Sequence, residues 1–526
     1  MDIIEKEKKK RTILYGLLVT VLVLIGVTYA YYRITKTQTN SNVIGTRTCL
    51  NTTLTEETSE IVLSDAFPIS DEDGLKQSPF TFTLTNNCDS YVKVTIALVS
   101  EYRTSTNTAY LKDNYVKSNL STKGTNDGSS VILSTLSLGE VDTNTQGYVL
   151  KTTGLKNKEA KSFDLRLWLD SETTNEQGLN KTWKGKIVVS VVAAEYVPTF
   201  AETILANNEV KAPITTPGAA ISTADEAEFA STEDDYGTSY YFRGAVTNNY
   251  VEFANKCWRI VRVGGDGSVK LILHNDNPTG VANPCDAANN SASAAFAHYN
   301  GSTYTSRFNE NYDDNAYIGF KYGTPGSSKY ETTHANTNKS TILTNLETWY
   351  TNNLKTYESV IDDTVWCNDK TNVTDTSYDP WSITPNGLGY AKNVTYYGAT
   401  KRLVGTSGSA GGTGPSLKCN GELSKINSKV GLITADELAL AGYAYGLQNS
   451  TTYLQENATD TYWWSLSPYF FYGAGASVWY VRGSDGYFGI NNVVNYTNGV
   501  RPSISLKSTT TILGGYGTSE DPYIVN

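Results

Sequence analysis

Hydrophobic positions fall into three regimes along the chain. Residues 12–32 carry no charged side chain and are mostly Leu, Val, Ile, Gly and Tyr. Such a run is long enough to cross a hydrocarbon core as one helix. Further on, apolar residues alternate with others: Val92, Val94, Ile96 and Leu98; Phe163, Leu165, Leu167 and Leu169; Ile187, Val189 and Val191. A period of two, broken by Asn/Gly/Ser/Thr stretches, predicts an all-β sandwich over residues 38–197. Residues 198–232 lose periodicity and hold Pro198, Pro213 and Pro217 among Ala, Thr and Glu, which predicts a linker with short local structure near Phe200–Ala206. From residue 233 to 526 the pattern is mixed and predicts an α+β domain.

Within that last region Val251–Val263 and Val269–Leu273 are expected as paired strands around the turn Gly264-Gly265-Asp266-Gly267. Ser340 or Thr344 is placed to cap a helix carrying Ile342, Leu346, Trp349 and Leu354 inward, with Thr344 and Glu347 at capping-box spacing. Thr434 and Glu437 repeat that spacing ahead of Leu438 and Leu440. Later strands are expected at Trp463–Leu466, Ser477–Val481, Tyr487–Ile490 and Ser503–Leu506.

The flanks of residues 12–32 turn the first pattern into a topology. Lys6, Lys8, Lys9, Lys10 and Arg11 precede the run, so residues 1–11 are expected in the cytoplasm and everything after Arg33 outside. Thr28-Tyr29-Ala30 also suits a signal peptidase, which would cleave after Ala30 and release the chain. Anchor and cleaved signal both remain open, and both place the bulk outside the cell. The six cysteines agree with export, and proximity suggests Cys49 with Cys88, Cys257 with Cys285, and Cys367 with Cys419.

Composition narrows the partners. A net charge of −10 leaves no basic field for nucleic acid. Thirty-seven tyrosines against three histidines and one methionine suit half-buried strands and binding faces.

Two stretches resemble known families. Phe67-Pro68-Ile69-Ser70-Asp71 followed by Pro79-Phe80-Thr81-Phe82-Thr83-Leu84-Thr85-Asn86-Asn87 resembles the camelysin/TasA-type domains of Gram-positive bacteria. That resemblance implies a jelly-roll sandwich, and some relatives assemble into extracellular fibres. The second series begins with Asp235-Tyr236-Gly237-Thr238-Ser239-Tyr240-Tyr241-Phe242-Arg243-Gly244 and Cys257-Trp258-Arg259-Ile260-Val261-Arg262. It continues through Gly431-Leu432-Ile433-Thr434-Ala435-Asp436-Glu437, Trp463-Trp464-Ser465-Leu466-Ser467-Pro468 and Gly499-Val500-Arg501-Pro502-Ser503. This resembles a surface-protein module of gut Firmicutes and Mollicutes, similar in pattern to the formylglycine-generating branch of the C-type-lectin-like fold. The reactive cysteine pair of those enzymes has no counterpart near Trp463–Pro502, so their copper chemistry does not carry over. Thr384-Pro385-Asn386 and Trp366-Cys367-Asn368-Asp369 each fall short of a calcium-dependent sugar-binding motif.

Catalytic and metal sites are not expected, and no cofactor is assigned. His274, His298 and His334 stand in no metal-ligand spacing. Glu310, Asp313 and Asp314 supply hard oxygens for which calcium is the one candidate ion. Arg259, Arg262 and Arg501 lie among apolar neighbours and need carboxylates or carbonyls, with Asp436 or Glu437 as candidates. Tyr469, Phe470, Phe471 and Tyr472, between Pro468 and Gly473, are expected on an exposed loop that with Trp479 forms a binding face. The expectation is a non-enzymatic surface protein whose head binds a glycan or protein. The alternatives are a self-assembling matrix fibre and an extracellular enzyme.

Overall fold

The computed structural model describes residues 34–37, 52–56, 61–63, 66–140, 146–178, 180–277, 280–299 and 302–525. The expected crossing segment, Ala30 and Cys49 lie outside them. None of the described helices is long and apolar enough to cross a membrane. The chain divides into two compact units, Met1–Val197 and Pro198–Asn526.

The first unit is β throughout its framework. One six-stranded sheet is built on Val92–Ser100, flanked by Trp183–Ala193 and Gln146–Leu155, and a second on Ala160–Asp170, flanked by Phe80–Asn86 and Val116–Thr122. The alternating residues of both sheets meet in one core, where Phe82, Val94, Ile96, Leu98, Leu165 and Ile187 are buried. Packing two pleated faces together is what the period-two pattern demands. Inside this core Asp113 accepts from the Tyr148 hydroxyl at 2.8 Å and from Trp183 Nε1 at 2.7 Å. Ile34–Thr37 forms an edge strand, antiparallel to Trp183–Ala193 with Ile34 opposite Val191.

The second unit contains a seven-stranded and a six-stranded sheet with short helices around them. Lys256–Val263 and Val269–Asn275 pair across the expected glycine turn, where Gly267 has a φ of +81°. The strand expected to run from Val251 to Val263 is instead a tight hairpin. Ala254 and Asn255 adopt φ of 54° and 56°, folding Tyr250–Phe253 back on Lys256–Val263. Two consecutive left-handed residues are the geometry of the tightest hairpins, here without the usual glycine.

Residues 198–232 are not a linker. Thr199 and Glu202 form a capping box at the start of the helix Phe200–Asn207, whose Phe200, Ala201 and Ile204 are buried in the second unit's core. The Phe200 ring meets Tyr523 edge-on at 5.3 Å. Glu226 pairs with Arg243 at 2.8 Å, both side chains fully buried, and also accepts from the backbone of Ile214 and Thr215. The prolines of this segment therefore shape ordered loops.

Ser340 caps the helix Thr341–Asn353, accepting from Leu343 N, while Thr344 lies inside it and donates to Ser340 O. Thr434 and Glu437 form the expected capping box for Ala435–Ala441.

Candidate functional site

The predicted aromatic binding face is core. Trp463–Phe471 is one continuous strand, with Tyr469 1%, Phe470 7%, Phe471 0% and Trp479 0% exposed. Pro468 does not end the strand, because the register shifts on either side of it and pairing with Ala476–Arg482 resumes. Thr395–Tyr396 covers the other side at Phe470 and Phe471. Proline lacks the N–H a ladder needs, and a bulge absorbs that loss. Tyr469 packs edge-on against Trp381 and Trp479, at 5.3 and 5.6 Å. Of the predicted group, Tyr472 alone is exposed.

The other candidates also serve the fold. His274 and His334 are buried, and burial holds both imidazoles well below the usual histidine range. Glu310 pairs with Arg307 and Asp313 with Lys392, while Asp314 accepts from Ala316 N and Gly326 N. Among the described residues no group of three or more His, Cys, Asp or Glu is arranged to hold a metal ion. Within Trp366–Asp369, Asn368 accepts from Phe320 N and donates to Leu466 O. Cys257–Cys285 and Cys367–Cys419 are disulfides. Cys88 is disulfide-bonded as well.

A charged cleft brings together residues from distant segments. Arg262 and Lys270 stand on adjacent strands, Arg402 on the helix Gly398–Leu403, and Asp436 and Glu437 in the first turn of Ala435–Ala441. Asp234, Asp369 and the Cys367–Cys419 disulfide complete the walls. Each cation is matched. Arg262 reaches Glu437 at 3.0 Å and Asp234 at 3.1 Å. Lys270 donates to both Glu437 oxygens, at 2.7 and 2.9 Å, and its ammonium lies 4.5 Å from the Trp366 ring centre. Arg402 forks onto Asp436 at 2.7 and 2.8 Å and reaches Asp369 at 2.7 Å.

Burial pulls the Lys270 ammonium down to about 8 despite Glu437. Burial would push the Glu437 carboxyl up, but Lys270 and Arg262 outweigh it and bring it down to about 2. Both groups stay charged and tied to each other at neutral pH, so Lys270 is not a free nucleophile. The cleft holds about 50 Å³, room for a few waters. Its rim is open: Tyr236 is 61% exposed beside Asp235 and Lys418.

The residues of this cleft connect to a known pattern. Residues 400–508 match a family model described as a domain of unknown function, DUF6273. No curated protein matches the chain. The matched stretch holds Arg402, Cys419, Asp436 and Glu437, whereas Asp234, Arg262 and Lys270 come from outside it. The cleft thus ties the matched stretch to the strands before it.

The sequence marks Arg262, Asp436 and Glu437 as candidates for ion pairing and Asp369 only as part of an incomplete sugar-binding motif, and neither Lys270 nor Arg402 is among those candidates. The signal for Lys270 is a lysine within the apolar run Val269–Leu273, a position that requires a buried counter-ion. Nothing local marks Arg402, or Asp369 as its partner.

Proposed function

We propose that the chain is an exported, non-catalytic surface protein whose second unit is a binding head for a glycan or protein ligand. The carrying observation is that the cleft's charged groups are committed to one another. They brace a rim that displays Tyr236, Asp235 and Lys418. Aromatic and charged groups on a rigid support are the composition of recognition surfaces. Disulfides in the second unit support an oxidising, extracytoplasmic location. Residues 12–32 supply the membrane anchor, the first unit is a jelly-roll stalk, and the head belongs to the C-type-lectin-like group in this reading. A glycan and protein array probed with the full-length chain tests it. Binding should be lost in Tyr236→Ala and Lys418→Glu, and an array on which both variants match the parent would sink the rim as the site. Protease shaving of intact cells should release the second unit.

A second reading is a matrix fibre, favoured by the strand Ile34–Thr37. It is an edge strand and follows the potential cleavage site Ala30 in the chain. Once freed, it can add to a neighbouring sheet edge. Mass spectrometry of the native N-terminus separates the readings: a chain beginning at Tyr31 and pelleting as fibres supports the fibre.

A further inference from the structure

A second cavity in the second unit shares no lining residue with the charged cleft. It holds about 190 Å³ and is lined by Tyr299, Tyr304, Asn345, Thr348 and Trp349. The helix Thr341–Asn353 supplies Asn345, Thr348 and Trp349, which stand at i, i+3 and i+4 and therefore share a face. Tyr299 comes from the short hairpin of His298–Tyr299 with Ser302–Thr303. Tyr304 follows that hairpin; its N–H donates to Ala297 O and its carbonyl accepts from Val500 N. The Tyr299 and Tyr304 ring centres are 6.2 Å apart, with their planes inclined by 38°.

The polar groups of the lining are held in place. Asn345 Nδ2 donates to Ser306 Oγ at 2.8 Å, which fixes the amide and leaves its oxygen as an acceptor. Thr348 Oγ1 donates to Thr344 O at 2.9 Å, so it too can only accept from a ligand. Burial pushes the Tyr304 hydroxyl up to about 12, which keeps it a donor at neutral pH. Trp349 is 2% exposed and its Nε1 donates to Asp276 at 3.1 Å, so the indole offers apolar surface alone. Tyr299, by contrast, is 51% exposed.

This lining selects among ligands. Among the described residues no charged side chain lines the cavity, so a charged ligand finds no counter-ion there. A quaternary ammonium, for which three aromatic rings are otherwise suited, would face the Lys256 ammonium, 5.7 Å from the Trp349 ring centre. A purely apolar ligand would strip water from Asn345 and Thr348 and replace none of its hydrogen bonds. A pyranose meets both demands, because its C–H face packs on an aromatic ring while its hydroxyls donate and accept. The volume, that of about six waters, suits one such ring better than a peptide segment. We propose that this cavity is a saccharide-binding subsite seating one neutral pyranose, stacked on Tyr299 and hydrogen-bonded by Asn345 and Thr348. The subsite extends the binding head proposed above but uses none of its rim residues, so either can fail alone.

Saturation-transfer NMR on the full-length chain tests this. The probes are the methyl glycosides of glucose, galactose, mannose, N-acetylglucosamine and rhamnose, with choline as a control cation. At least one glycoside should receive saturation at its ring protons, and choline none. Tyr299→Ala should weaken that glycoside at least about tenfold, and Tyr299→Phe, which keeps the ring, less than about twofold. Thr348→Val keeps the shape and removes an acceptor, so it should weaken binding by about three- to tenfold. Both side chains are exposed, so the variants should melt with the parent. Tyr236→Ala, on the cleft rim, should leave the signal unchanged. Silence from all the glycosides, saturation of choline, or a sugar signal kept in full by Tyr299→Ala would each overturn the proposal.

Discussion

Glu437 caps its own helix, accepting from Thr434 N, while neutralising Lys270 and Arg262. Removing its charge strands the buried Lys270 and leaves Arg262 with Asp234 alone, and Glu437→Gln is expected to cost about 3–5 kcal/mol in denaturant titrations. The pH dependence has a defined sign. The folded carboxyl lies at about 2 against an ordinary 4.5, so its stabilisation is complete above pH 4.5 and disappears as pH falls towards 2. The steep acid loss in that window should be shallower in Glu437→Gln. Phe471, now a core residue, gives a different expectation: Phe471→Ala should lose about 3–5 kcal/mol of stability, with any binding defect explained by unfolding.

Capping shows how local rules operate at the scale of elements. Two Thr/Glu pairs had the same spacing, Thr344 with Glu347 and Thr434 with Glu437, and the second forms a capping box. Ser340 takes the other cap because the helix begins one turn earlier. Ser340→Ala should therefore cost about 1 kcal/mol by chemical denaturation, and Thr344→Ala much less. Strands show the opposite lesson. The apolar alternation of Val92–Leu98 identified its strand because Val92, Val94, Ile96 and Leu98 enter the core while Lys93 and Thr95 on the other face keep contact with solvent. Trp463–Phe471 is buried on both faces, so its pattern is continuous and periodicity carries no information about where it ends.

At the scale of the whole molecule, the segment 198–232 belongs to the second unit through Phe200, Ile204 and Glu226. A fragment starting at 198 should melt cooperatively. One starting at 233 would leave Arg243 buried without its carboxylate and uncover the Phe200 site, and it should melt lower or aggregate. Circular dichroism melts of the two fragments check this. The Cys367–Cys419 crosslink joins a wall of the cleft to its rim, and Cys419→Ser should cost about 2–5 kcal/mol.

Much of the fold was legible because its causes are local. Period-two burial marked the sheets of the first unit, glycines marked the turn at Gly267, and hydroxyl-to-carboxyl spacing marked the cap at Thr434. The pairs Cys257–Cys285 and Cys367–Cys419 followed from proximity in sequence. The candidate cleft was legible in part. A buried arginine announces that it needs a partner but not which one, and Arg262 finds Glu437 from 175 residues away. The same limit applies to the aromatic stretch, since Tyr and Phe satisfy a wet face and a dry core alike. Only the register around Pro468 and the cover from Thr395–Tyr396 decide that it is dry. Residue types set what each side chain requires, and the tertiary fold, which alone brings distant segments together, decides how that requirement is met.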